Sequence, residues 1–530
     1  MKKARYLRIY DLHSWSGIIL GLFVYVVSFT GCIALFDYEL KSWEDPAKRL
    51  SIPQEPIIMM STFEAWVNTT AQEDTVRTIL FSYPDYHRPY YQGFMTTVAE
   101  GSKPVNHRVK WSAETGDVLI VKEPALTEWL LDFHRDLMWP ASIGGRTAGR
   151  TIVGIAGIIL LLSIITGIIT HTKIIKEFFT LRVKRSIHLK WQDMHKVIGL
   201  WTLPFSTMIA FTGAILGVVV ILAPLAALLA FKGDTQSVIE AVVGKPAEPA
   251  GIYAPMHSVD ELITFKPDQR PSFVSITNWG DENAEYRLSY KARTELNRFN
   301  RFFLKGSSGE LIRSESVSTL RPDQRVNNAI TPLHYGTYGG VWLKIVYLIM
   351  GIFLCVVTAT GLMVWIERRL KSKKGKRKPE FYYRLGRLTI GTTLGFPVAT
   401  IALFYLDKFY IGSEDNRLFY TGITYFSVVA FVIFFSMLRK KDYLTVRYLF
   451  LLSAIGCLFL PLVNWLTTKG NFIANLSGDH SWAWVDFGFM SMSFALFIVA
   501  YCLPKQRGDE PRVTNRNARV VKNTPKIRTA

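Results

Sequence analysis

At 530 residues, 49% of them hydrophobic and 13% aromatic, with a mean hydropathy of +0.18, the chain is too apolar for an ordinary soluble protein of its size. The net charge of +20 would suit a nucleic-acid binder, but the Lys and Arg gather in short segments between apolar runs. That pattern fixes membrane topology, so a lipid bilayer is the expected partner and nucleic acid is not. The four cysteines, Cys32, Cys355, Cys457 and Cys502, lie in or at the end of apolar runs without metal-knuckle or redox-pair spacing, which speaks against a disulfide framework.

Eight apolar runs follow in chain order, at about 15–36, 150–170, 197–230, 341–366, 387–407, 418–438, 446–466 and 482–503. Each approaches or exceeds the roughly 20 residues that cross a bilayer. The first has a basic start, as a secretory signal does, but it is long for one and is read as a retained span. In the third, Pro204 and Pro224 are expected to kink the helix or mark its end. The chain therefore divides into span one (1–36), an extramembrane domain (37–149), span two (150–170), a basic loop (171–195), span three (196–230), a second extramembrane domain (231–340), span four (341–366), a basic loop (367–386), spans five to eight (387–503) and a basic tail (504–530).

The segment 171–195 carries six Lys or Arg, 366–388 carries ten, 439–447 four and 505–530 eight, whereas 409–417 and 467–481 carry one each. The basic segments fall on one side, which places both termini in the cytoplasm and the two long segments on the far side, the periplasm of a bacterial cell.

The chain repeats itself. His13 and Gly17 open span one, with Thr30-Gly31 seventeen residues after the histidine; His195 and Gly199 open span three, with Thr212-Gly213 at the same distance. Gly157 precedes Thr166-Gly167 in span two as Gly351 precedes Thr360-Gly361 in span four, and Leu131-Asp-Phe-His134-Arg and Thr331-Pro-Leu-His334-Tyr stand before those spans. The small residues read as points of close helix approach. Each extramembrane segment has a strand–turn–strand pattern, Val109–Ile120 around Gly116 and Arg301–Ile312 around Gly309, preceded by helical and strand-like sequence at Thr62–Thr70 and Ser272–Thr277. Two small α+β domains are expected.

Of ten histidines, His87, His107, His257 and His480 fall in exposed segments and read as surface residues. His13 and His195 lie at the cytoplasmic starts of spans one and three; His134 and His334 lie near the outer ends of spans two and four. Seventeen helical residues cover about 25 Å, nearly the hydrocarbon thickness. A pseudo-twofold axis along the membrane normal would bring each pair face to face, the arrangement that two axial ligands of a haem iron need. Propionates would need cations, and Arg135, Arg146 and Arg150 are candidates outside, with Arg8, Arg185 and Lys196 inside. His171 competes for an inner position, and His188, two turns before His195, is a further candidate. Zinc and a proton relay are alternatives, though no close His, Cys or carboxylate cluster completes a tetrahedral site and few acidic residues lie in the spans.

The pattern His13…Gly17…Thr30-Gly31, Leu131…His134-Arg135, Asp193-Met-His195…Gly199-Leu-Trp201 and Leu333-His334 resembles the PepSY-associated transmembrane family over about residues 5–370, and Ile169–Phe179 is similar to one branch of it. That family includes bacterial inner-membrane reductases of ferric siderophores. The resemblance implies two b-type haems on His13, His195, His134 and His334, PepSY-like periplasmic domains, and transmembrane electron transfer that reduces ferric iron in siderophores or other chelates. His171 departs from the simplest family pattern.

The expected fold is thus an all-α membrane bundle of eight spans, a duplicated two-plus-two core with four C-terminal spans, carrying two small α+β domains. A transporter or permease component of iron uptake is the first alternative function, and a non-catalytic PepSY-type sensor or regulator the second. No Gly-rich dinucleotide motif is present, so the electron donor is a cytoplasmic partner, a membrane quinol or a diffusible reductant. The outer aromatics Trp129, Trp139, Tyr335, Tyr338 and Trp342 read as an interfacial belt or as docking surface.

Overall fold

The computed structural model describes residues 3–49, 60–71, 75–85, 88–99, 102–120, 125–171, 173–182, 187–235, 237–238, 240, 247–258, 266, 269–292, 295–297, 299–371, 378–470 and 481–503. In chain order the described elements are α1 (Lys3–Ala34), α2 (Asp37–Glu44), α3 (Met60–Ala71), β1 (Thr75–Ser82), β2 (Tyr90–Val98), β3 (Val105–Ser112), α4 (Ala125–Asp136), α5 (Gly145–Thr170), α6 (Ile174–Glu177), α7 (Ile187–Trp201) and α8 (Leu203–Ala230). There follow β4 (Phe273–Thr277), β5 (Glu285–Lys291), β6 (Phe299–Lys305), β7 (Leu311–Glu315), α9 (Pro322–Tyr335), α10 (Gly340–Lys371), α11 (Pro379–Phe409), α12 (Glu414–Leu438), α13 (Asp442–Thr468) and α14 (Ser481–Cys502).

Among the described residues, eight helices are long and apolar enough to cross a bilayer: α1, α5, α8, α10 and α11 to α14. The third span begins at Leu203, later than the apolar run suggests. α7 ends at Trp201, and Pro204 stands in the first turn of α8, where the missing N–H has no partner to lose. Pro224 is absorbed inside α8. The first four spans form a closed ring in which α1 packs on α5 and α10, α5 on α8, and α10 on α7. Helices α1, α4 and α5 of the first repeat correspond to α7–α8, α9 and α10 of the second.

The strands of the two extramembrane segments meet in one layer. They form a single seven-stranded antiparallel sheet of order β3-β2-β1-β4-β5-β6-β7, and β1 pairs with β4 where the halves join. Each half alone would leave an unpaired edge there, and pairing removes it. Gly116 and Gly309, the hinge residues of the two hairpins, both adopt a positive φ that side chains rarely tolerate. Helix α3 lays Phe63 and Val67 on the sheet against Ile79, Phe81, Met95, Ile276, Tyr286 and Leu288, all fully buried. This layer defines a sheet side of the membrane, opposite the side that carries the N-terminus.

Helices α11 to α14 pack on one another and seat against α1, α2, α4 and α10. Buried polar contacts fix the seat. Trp43 Nε1 donates to Asp486 (2.6 Å), and Asn464 donates to the other oxygen of Asp486 (2.8 Å). Arg49 donates to Asn464 and Thr468, and Lys408 to the Trp43 carbonyl. Unpaired, such groups would each cost about 1–3 kcal/mol in an apolar interior; paired, they hold one register.

Candidate functional site

The site is built from four copies of one local device. Thr30, Thr166, Thr212 and Thr360 each turn the hydroxyl back to the carbonyl four residues earlier, at 2.7–2.9 Å. The glycine that follows each threonine leaves the helix surface bare. A histidine from a neighbouring helix fills that gap: His134 over Gly31, His13 over Gly167, His334 over Gly213 and His195 over Gly361. A Cβ on any of these glycines would stand 3.0–3.2 Å from the imidazole Cε1, too close for the ring to stay where it is.

The helix then fixes the ring. His13 Nδ1 lies 2.9 Å from the Ser163 carbonyl, His195 Nδ1 2.9 Å from that of Val357, and His134 Nδ1 3.1 Å from that of Val27. Each of these carbonyls precedes its threonine by three residues. His334 Nδ1 lies 3.0 Å from the Thr212 hydroxyl, whose proton is already given to Met208. A carbonyl only accepts, so Nδ1 carries the proton and, in the neutral ring, Nε2 keeps the lone pair. Among the described residues no Nε2 of the four has a hydrogen-bond partner. Burial holds His134 down at about 4 and His334 at about 3, so both rings are neutral at physiological pH.

The four rings come together as two pairs. His13 and His195 have ring centroids 6.2 Å apart, and His134 and His334 6.5 Å apart. A ligating nitrogen sits about 2 Å from its metal and about 1.1 Å from its ring centre, so two rings on opposite sides of one ion are roughly 6 Å apart. Both pairs meet that spacing. On the continuous helix α1, seventeen residues separate His13 from Thr30, which touches His134, so the pairs lie about 25 Å apart along the helix. Among the described residues no three His, Cys, Asp or Glu converge.

The remaining candidates fall elsewhere. His171 lies beside Glu177 (3.6 Å), which also pairs with Lys196 (2.5 Å), outside the His13–His195 pair. His188 faces Glu367, Arg368 and Lys371. Arg135 and Arg146 are both paired with Asp132. Arg8 is exposed and Arg150 half-buried, and neither has an ion-pair partner among the described residues. Arg185, His87 and His480 lie outside the described residues, and His107 bonds Thr97 within the sheet. Of the aromatics, Tyr335 (47% exposed) and Trp342 (77%) are open, whereas Trp129 is buried at 2%.

Glu44 is a positioning residue that the sequence did not reveal. Its carboxylate accepts from the Leu126 and Thr127 amides (both 2.9 Å) and the Thr127 hydroxyl (2.8 Å), capping α4, the helix that carries His134. Burial, and then the neighbouring Asp407, push its pKa up to about 7.

The geometry defines a class: a polytopic membrane protein with a duplicated four-span core that holds two facing imidazole pairs at two depths. Comparison places it further. Residues 10–368 match the PepSY-associated TM region, so the chain belongs to the PepSY-associated transmembrane family. It is also similar to Uncharacterized protein PA4219 of Pseudomonas aeruginosa, with 28% identity over 298 residues, 53% of this chain and 72% of that protein.

Proposed function

We propose that this protein is a di-haem membrane reductase that carries electrons between the two histidine pairs and reduces ferric iron in siderophores or other chelates on the sheet side, the periplasm of a bacterial inner membrane with both termini cytoplasmic. The observation that carries the reading is the set of four imidazoles, each with Nδ1 tied to a neighbouring helix and Nε2 without a partner among the described residues, in two pairs at bis-imidazole spacing.

The residues that fit two b-type haems are His13 with His195 and His134 with His334. Each haem, when bound, supplies a one-electron iron centre. The chain supplies the rest. The Nδ1 bonds set the tautomer and the ring plane, which raises the basicity of the ligating nitrogen. The four glycines let each ring lie against the backbone of a neighbouring helix. Arg150 on the sheet side and Arg8 on the N-terminal side are free to pair with propionates. The substrate gains one electron, and hard oxygen donors hold ferrous iron less tightly than ferric, so the metal is released. Tyr335, exposed and in ring contact with His334, and Trp342, exposed at the start of α10, offer the chelate a contact surface.

Substitution tests the assignment. The purified protein is expected to contain two haems per chain; His134→Ala and His334→Ala are each expected to retain one, and His171→Ala both. A His171→Ala protein that loses a haem would move the N-terminal-side ligand. Full haem content without reduction of any ferric chelate by the dithionite-reduced protein would reject the substrate reading.

A further inference from the structure

A groove of about 460 Å³ opens between α4 and α12, on the sheet-side half of the spans, beyond anything the histidine pairs require. Its walls include Trp129, Met138, Phe419, Gly422, Ile423 and Phe426. Phe419 is 64% exposed and Ile423 and Phe426 47% each, within a membrane-spanning helix. The mouth therefore faces lipid, and an occupant arrives through the bilayer.

The lining carries no charge; the Ser427 hydroxyl and the Trp129 indole N–H are its polar groups. Trp129 is 2% exposed, and its N–H has no hydrogen-bond partner among the described residues. A Cβ at Gly422, in the groove wall, would stand 3.3 Å from that nitrogen; the glycine leaves the donor uncovered. The N–H opens into an apolar, lipid-facing groove where nothing among the described residues accepts it; an N–H left unmet in such surroundings costs about 1–3 kcal/mol, which an acceptor on the occupant would recover. Trp129 stacks on Phe133 (centroids 5.3 Å, 18° between planes), the residue before His134.

We propose that this groove binds the ring of an isoprenoid quinone, one ring oxygen accepting from Trp129 Nε1 and the tail running out between α4 and α12 into the bilayer. An acyl chain offers no acceptor for the indole. A phosphate headgroup would call for cations that the lining lacks. A flat ring with carbonyl oxygens on an apolar body meets both the aromatic walls and the unpartnered indole donor, in a volume typical of small-molecule sites. The assignment deepens the reductase reading, on which its use rests, by naming the class of electron donor. One quinol breaks two O–H bonds and becomes quinone, releasing two electrons and two protons; two ferric chelates gain one electron each, and the protons pass to water. A two-electron donor suits a chain with two one-electron sites.

The test is a photoreactive azido-quinone with a two-isoprenoid tail, titrated onto the full chain in phosphatidylcholine nanodiscs, with crosslinks mapped by mass spectrometry. Labelling of 125–138 and 414–438, displaced by unlabelled quinone and not by oleate, is expected. Gly422→Leu should abolish it by filling the groove, and Trp129→Phe should weaken binding about tenfold by removing the donor. Labelling elsewhere, displacement by oleate, or undiminished labelling of Gly422→Leu would overturn the proposal. Haem content is read from the same samples by absorbance, so quinone binding without haem rejects only the reductase reading, and haem without quinone binding rejects only this one.

Discussion

At the scale of the residue, the four Thr-Gly pairs matter most. In the sequence they stand out by regular spacing and read as surfaces for close helix packing. They seat histidines instead. That role is invisible along the chain because each contact joins residues more than a hundred positions apart, 104 for Thr30 and His134 and 165 for Thr360 and His195. Gly31→Val should push the His134 ring off α1 at about 1–3 kcal/mol of overpacking and, on the proposed di-haem reading, lower the haem stoichiometry from two to one. Gly17→Ala, whose added carbon meets nothing within 4 Å, should change neither. The histidine pairs themselves were legible, because a seventeen-residue spacing in two copies fixes depth. The competition from His171 was not resolvable in the sequence, since depth alone does not say which way a side chain turns; in the structure it joins Glu177.

At the scale of the element, α4 shows how a distant residue positions a site. Its N-terminus is held by Glu44, 82 residues earlier, and no local capping signal announces this. Glu44 has a usual carboxyl value of 4.5 and is raised to about 7 in the fold. Between those values the folded chain holds the proton that the unfolded chain has lost. Stability from this group therefore falls as pH rises from about 4.5 to about 7 and is level above. Glu44→Gln is expected to flatten the dependence of melting temperature on pH between 5 and 7. An unchanged slope would mean that the carboxyl is already ionised there. Trp129 teaches the same lesson from the other direction. It reads as an interfacial aromatic, yet α12 covers it, and nothing in the repeat indicates where the C-terminal helices dock.

At the scale of the whole molecule, the eight spans and the two hairpins follow from hydropathy and turn residues. The joining of both extramembrane segments in one sheet does not, because β1 and β4 belong to different repeats and nothing local to either strand marks the other as its partner. Sidedness is a further prediction. In a Cys502→Ser background, Ile120→Cys (96% exposed) and Ile411→Cys (fully exposed) should react with an impermeant maleimide in intact spheroplasts, and Ile175→Cys (93% exposed) only after lysis. The reverse pattern would invert the topology.

Whether both imidazole pairs hold haem, as proposed, is read from the dithionite-reduced minus oxidised absorbance spectrum of the purified, folded protein with a pyridine haemochrome assay. Bands of b type and two haems per chain are expected; a folded protein without haem absorbance would contradict the di-haem reading.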